Sequence, residues 1–121
     1  MQILAKREEQ IMQVIWNLEK AFVKEIIEHL PEPKPHYNTI ATMVKILQDK
    51  GFLSAEKFGN TYRYEPLISL EDYRKQDVES IQKKYFGGSF SKMLTHFAKE
   101  ENLSDDDLDE IVRMIKDQKK P

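Results

Sequence analysis

Apolar side chains fall on a helical period three times in the first fifty residues. Ile11, Val14, Ile15 and Leu18 recur at i, i+3, i+4 and i+7, and so do Val23, Ile26, Ile27 and Leu30, then Ile40, Met43, Val44 and Leu47. That spacing lays one apolar stripe along a helix, and it predicts helices over 5–18, 23–30 and 36–51. Lys6, Arg7, Glu8 and Glu9 open the first helix as a polar turn. Trp16 stands about 100° off its stripe and is expected to wedge into the core. Pro31, Pro33 and Pro35 stop the second helix and stiffen the connector after it, because each lacks an N–H and pushes the preceding residue toward extended backbone. His29, on the flank of the second helix, is expected at the surface or its boundary. Gly51 ends the third helix.

The period then changes from helical to alternating. Phe52–Phe58 and Thr61–Glu65 flank Gly59-Asn60, the turn pair of a β-hairpin. Tyr62 and Tyr64 alternate with Thr61, Arg63 and Glu65, which predicts one packed face and one wetted face, and Pro66 closes the strand. From Ser69 the helical period returns. Ser69 with Asp72 and Ser104 with Asp107 are capping-box starts, the hydroxyl accepting an otherwise unpaired amide. The helices so begun carry Tyr73, Ile81 and Tyr85, then Phe90, Met93, Leu94 and Phe97, then Leu108, Ile111, Val112 and Ile115. The expected fold is mainly α with a small β-hairpin wing. A winged helix-turn-helix domain over 1–67 is followed by a helical segment over 68–121. These last stripes exceed what one protomer needs, so their expected use is dimerisation; packing back on the first domain as extra core is the alternative.

The third helix turns Asn38, Thr42, Lys45 and Asp49 away from its apolar stripe, with Thr39 and Ala41 flanking them. Short hydrogen-bonding side chains on such a face suit the base edges of a major groove, and an ordinary solvated face has the same pattern. Charge decides little. The chain has net charge −2 and pI about 5.9, which argues against indiscriminate binding of nucleic acid. Between His36 and Arg63, Lys45, Lys50, Lys57 and Arg63 oppose Asp49 and Glu56, a small local excess of positive charge. Cysteine is absent, so disulfides, thiolate metal sites and cysteine nucleophiles are excluded. No apolar run approaches a membrane span, and the N-terminus lacks a signal-peptide pattern, so a cytoplasmic location is expected. The three histidines are scattered and no glycine-rich phosphate loop is present. No enzyme, cofactor or metal site is expected.

Several stretches together resemble the penicillinase-repressor family (BlaI/MecI/CopY type). They are Glu9–Trp16, Asn38–Met43, Lys50–Leu53, Gly59–Tyr64 before Pro66, Phe86–Ser89, and Asn102–Ser104 with the acidic helix after it. The resemblance implies a homodimeric repressor on an inverted-repeat operator of double-stranded DNA upstream of resistance or stress genes. Tyr37, Asn38, Thr39, Thr42 and Lys45 then face base edges or adjoining phosphates, and Lys57, Asn60, Thr61 and Arg63 serve the wing. Asn38 stands where family members commonly carry a basic residue, which implies a shifted operator sequence, since asparagine pairs with adenine through two hydrogen bonds. The copper-responsive branch uses a C-terminal cysteine cluster that this chain lacks, so that route is excluded. In the β-lactam-responsive branch a membrane sensor metalloprotease system leads to cleavage between Asn and Phe in the dimer helices. The matching pair here is His96-Phe97. Two other readings stay open: a repressor relieved by a small ligand held near aromatics such as Tyr73 and Tyr85, and a winged-helix module that binds protein and ignores DNA.

Overall fold

The computed structural model describes residues 4–119. In chain order the elements are α1 (Lys6–Leu18), β1 (Ala21–Phe22), α2 (Val23–Glu28), α3 (Tyr37–Asp49), β2 (Leu53–Phe58), β3 (Thr61–Pro66), α4 (Leu70–Phe86), α5 (Phe90–Glu100) and α6 (Asp105–Gln118). They form two compact units, residues 1–77 and 78–121, with α4 running from the first into the second.

In the first unit the stripes meet one another. Ile11, Met12 and Ile15 of α1, Ile26 of α2, and Ile40, Val44 and Leu47 of α3 are fully buried. The stripe of α3 binds the helix to this core, and Met43 packs at the core's edge. Past Asp49 the chain must reverse without leaving carbonyls unpaired. Gly51 takes φ +87°, its N–H donates to the Gln48 carbonyl at 3.0 Å, and the Phe52 N–H donates to the Leu47 carbonyl at 2.9 Å. This paired closure is a Schellman motif, which needs a left-handed residue at that position and so favours glycine. Phe52 and Leu53 enter the core directly after it.

The sheet has three antiparallel strands in the order β1-β3-β2, where the alternating pattern led us to expect a two-stranded hairpin. Ala21 pairs with Tyr64 and Phe22 with Arg63. A strand of two residues is too short to show a period, and its neighbours Val23 and Ile26 belong to the helical stripe. The hairpin also departs from the expected packed and wetted faces. Leu53, Ala55 and Tyr64 share the face turned to the core, and Lys57 and Tyr62 continue that face toward the tip. Tyr62 is 44% exposed all the same, against 8% for Tyr64, because the hairpin extends beyond the helices beneath it. On the other face Arg63 is half-buried, its guanidinium 4.7 Å from the centre of the Phe58 ring.

Two further residues join the start of this unit to its end. Trp16 is half-buried, short of the core position expected for it, because its Nε1 donates to the Ile68 carbonyl at 2.8 Å. Its ring lies 5.6 Å from that of Tyr73. Tyr73, expected on the dimerisation stripe, is 5% exposed within its own unit. Its hydroxyl accepts from the Leu4 N–H and donates to Glu9 Oε2, each at 3.0 Å. Its helix enters the first unit with Tyr73 pointing at α1, which the sequence pattern does not distinguish from a dimer contact.

In the second unit Ser89 Oγ caps α5 by accepting from the Lys92 N–H at 3.1 Å. Ser104 and Asp107 cap α6 reciprocally, at 3.1 and 3.2 Å. Met93, also expected at a dimer contact, is 5% exposed within the chain. α6 buries none of its residues. No helix among the described residues is long and apolar enough to cross a membrane.

Candidate nucleic-acid interface

The burial of Ile40, Val44 and Leu47 turns the opposite side of α3 outward. Asn38, Thr39, Thr42, Lys45 and Asp49 are all exposed, and Tyr37 is 45% exposed at the first helical position. From Asn38 to Lys45 the helix rises about 10 Å, about three base-pair steps. The Thr42 hydroxyl donates to the Asn38 carbonyl at 2.9 Å. Its proton is therefore committed, and toward a ligand it offers lone pairs, as an acceptor for an exocyclic amine such as adenine N6 or cytosine N4. Asn38 has a free choice of amide donor and carbonyl acceptor on the same stripe.

Beside this helix stands the wing. Gly59 leads the tip turn with φ +61°, the left-handed value that a type II′ turn requires of its first residue, and Phe58 and Thr61 pair across it. Lys57, Asn60 and Thr61 are exposed at or near the tip. Arg63, expected to serve the wing, is half-buried, its guanidinium over the Phe58 ring and 3.5 Å from Glu56. Lys50 is withdrawn in a similar way. Its Nζ lies 2.8 Å from Glu8 Oε2 while Glu8 Oε1 accepts the Ala5 N–H at 2.9 Å. That bond from Lys50 holds the Glu8 carboxyl below the usual carboxylate range, against the opposing effect of burial. Of the four basic residues between His36 and Arg63, Lys45 and Lys57 are thus the two left exposed without a carboxylate partner.

Tyr62, opposite Lys57 on the pair next to the tip, is exposed as well, although strict alternation assigned it to the packed face. Burial pushes the Tyr64 phenol above its ordinary value, and the nearby phenols of Tyr37 and Tyr62 add to the shift. Strand parity does not encode how far a hairpin reaches past the core, so the alternating pattern carries no signal of the exposure of Tyr62.

The remaining predicted residues lie in the second unit or on the helix that leads to it. Ile81, Tyr85, Phe90, Leu94, Phe97, Leu108, Ile111, Val112 and Ile115 are all between 38% and 68% exposed. His96 is exposed on α5 with its ring 5.5 Å from Phe86 and 5.4 Å from Phe97. Of the two aromatics expected beside a ligand, Tyr73 is buried within the first unit and Tyr85, in the second, is 68% exposed. Among the described residues no group of His, Asp and Glu side chains is placed to hold a metal ion.

A family model described as penicillinase repressor matches residues 4–117. The chain belongs to the penicillinase repressor family. It is 27% identical over 113 residues to the methicillin resistance regulatory protein MecI of Staphylococcus aureus (strain N315), covering 93% of this chain and 92% of that protein. It is 26% identical over 117 residues to the penicillinase repressor of Bacillus licheniformis, covering 96% and 91%. The solution structure of the DNA binding domain of the repressor BlaI superposes with a TM-score of 0.51 at 32% identity, over 58% of this chain and 87% of that one. As a member of this family the protein is a transcriptional repressor and not an enzyme.

Proposed function

We propose that this repressor acts as a homodimer on an inverted-repeat operator upstream of resistance or stress genes. Residues 1–67 read DNA and the helical segment 68–121 joins the two copies. Tyr37, Asn38, Thr39, Thr42 and Lys45 meet base edges and adjoining phosphates, and Lys57, Asn60 and Thr61 meet the backbone from the wing. The observation that carries the reading is the apolar band of α6. Leu108, Ile111, Val112 and Ile115 share one face and remain 38–49% exposed in a single chain; full burial of such a side chain from water is worth about 1.5–3 kcal/mol, so covering the exposed part gains about half of that for each. A second copy covering that face places two reading heads on one duplex, as a two-fold repeat demands.

Release is a signal-dependent step, such as cleavage between His96 and Phe97 prompted by a membrane sensor metalloprotease system. Both residues lie inside α5, so the bond must leave its helix before a protease can act on it, and damage there reaches the dimer directly. The experiment is retention of genomic fragments by the purified protein at moderate salt, followed by sequencing. A shared inverted repeat upstream of one operon is the expected result. Retention of fragments without a common repeat, or of none, refutes the operator reading.

A further inference from the structure

Outside the exposed face of α3, the first unit holds a cleft of about 490 Å³ lined by Phe22, Lys24, Glu25, Tyr37 and Thr61. It opens where β1 passes into α2, with the first residue of α3 and the first residue of β3 in its walls. Two of the five lining residues, Tyr37 and Thr61, are assigned above to the DNA-facing surface. The other three come from β1 and α2, which no part of that assignment uses. Phe22 is an apolar wall, its ring 5.7 Å from that of Phe58 and set edge-on to it. Glu25 supplies a negative charge, but its Oε1 is bound by the Phe22 N–H at 2.9 Å. Lys24 supplies the cation.

We propose that this cleft seats one sugar–phosphate unit of the operator strand running between the recognition helix and the wing. Lys24 serves as the counter-charge, and the Tyr37 and Thr61 hydroxyls serve as donors. The chemistry fits a nucleotide backbone. A phosphate takes hydrogen bonds from hydroxyls and an ammonium, and the deoxyribose lies against the Phe22 ring, while no base edge is read there. Lys24 then fixes register and affinity without contributing to sequence choice, and it replaces part of the positive charge that Lys50 and Arg63 spend within the protein.

The inference rests on the operator reading, and the test separates the two. The probe is the shortest retained duplex carrying the inverted repeat, with affinity followed by fluorescence anisotropy from about 50 to 200 mM KCl. Lys24→Gln is expected to weaken binding severalfold and by the same factor for the operator and its single-base variants. It should also flatten the slope of log K against log salt by about 0.9 per protomer. Lys24→Arg should restore most of both. Lys116→Gln, the loss of an exposed charge on α6, should leave the slope unchanged, and equal thermal melts should show that all variants fold. A Lys24→Gln slope equal to wild type while wild type binds the repeat overturns the phosphate site alone. Failure of wild type to bind any repeat overturns the operator reading and the site with it.

Discussion

Lys50 and Glu8 are 42 residues apart in sequence and join the end of α3 to the start of α1 through a 2.8 Å charge-assisted bond. The side chains are 28% and 10% exposed, whereas those of Lys20 and Glu65, 3.7 Å apart, are 51% and 50% exposed. The two pairs therefore serve as an internal comparison. Glu8→Ala removes a hydrogen bond between charged groups, worth about 1.5–3 kcal/mol, and the acceptor of the Ala5 N–H, worth about 1 kcal/mol. One carboxylate makes both, so a total of about 2–4 kcal/mol is expected. Lys50→Ala leaves that carboxylate with its cap but without its cation, at a cost of about 1.5–3 kcal/mol. A double-mutant cycle by urea unfolding at pH 7 and one fixed protomer concentration should give a coupling near 1.5 kcal/mol, above the ~0.2–1 kcal/mol of exposed pairs. The Lys20–Glu65 cycle should fall within that lower range. The depressed pKa of Glu8 sets the pH dependence. Its contribution is complete above the unfolded value of about 4.3 and is lost as pH falls through the lower folded value. A Glu8–Lys50 coupling no larger than that of Lys20–Glu65 would refute the assignment of this pair as the strut under α3.

Three other outcomes follow from the geometry. Asn38→Ala should relax discrimination at one base pair by about 1–3 kcal/mol, measured on the operator and its single-base variants; a loss equal for every variant contradicts base reading by Asn38. Tyr73→Phe deletes the hydroxyl that bridges Leu4 and Glu9 and should lower unfolding stability by about 1–2 kcal/mol. Tyr85→Phe, on a 68% exposed ring, should stay within about 0.5 kcal/mol of wild type, and equal effects of the two would mean that burial of Tyr73 is not maintained in solution. Ile111→Asp should produce a monomer in sedimentation velocity and weaken operator binding while the Trp16 fluorescence of the folded head persists. A variant that remains dimeric removes α6 from the interface.

Local physics made much of this protein legible from its residues alone. The stripe Ile40, Met43, Val44, Leu47 predicts both a helix and the side it turns outward, because a 3.6-residue period leaves one orientation that buries four apolar side chains. Gly51 and Gly59 announce their turns because left-handed backbone is costly for other residues, and the serines of α4 and α6 announce their caps because an amide lies within reach. The order of helices and hairpin, and the short polar residues of α3, were readable for the same reason. Tertiary structure decided what depends on neighbours distant in sequence. Tyr73 and Ile81 lie on one helix in one pattern, and only the approach of α1 makes the first a core residue while the second stays exposed. Lys50 and Arg63 count as positive charge in composition, and only the fold brings them to Glu8 and Glu56. Tyr62 has the parity of a buried strand residue, and only the reach of the hairpin past its core exposes it. A period reports which side of an element faces inward; what stands there to meet it is settled by packing between segments that the sequence does not place side by side.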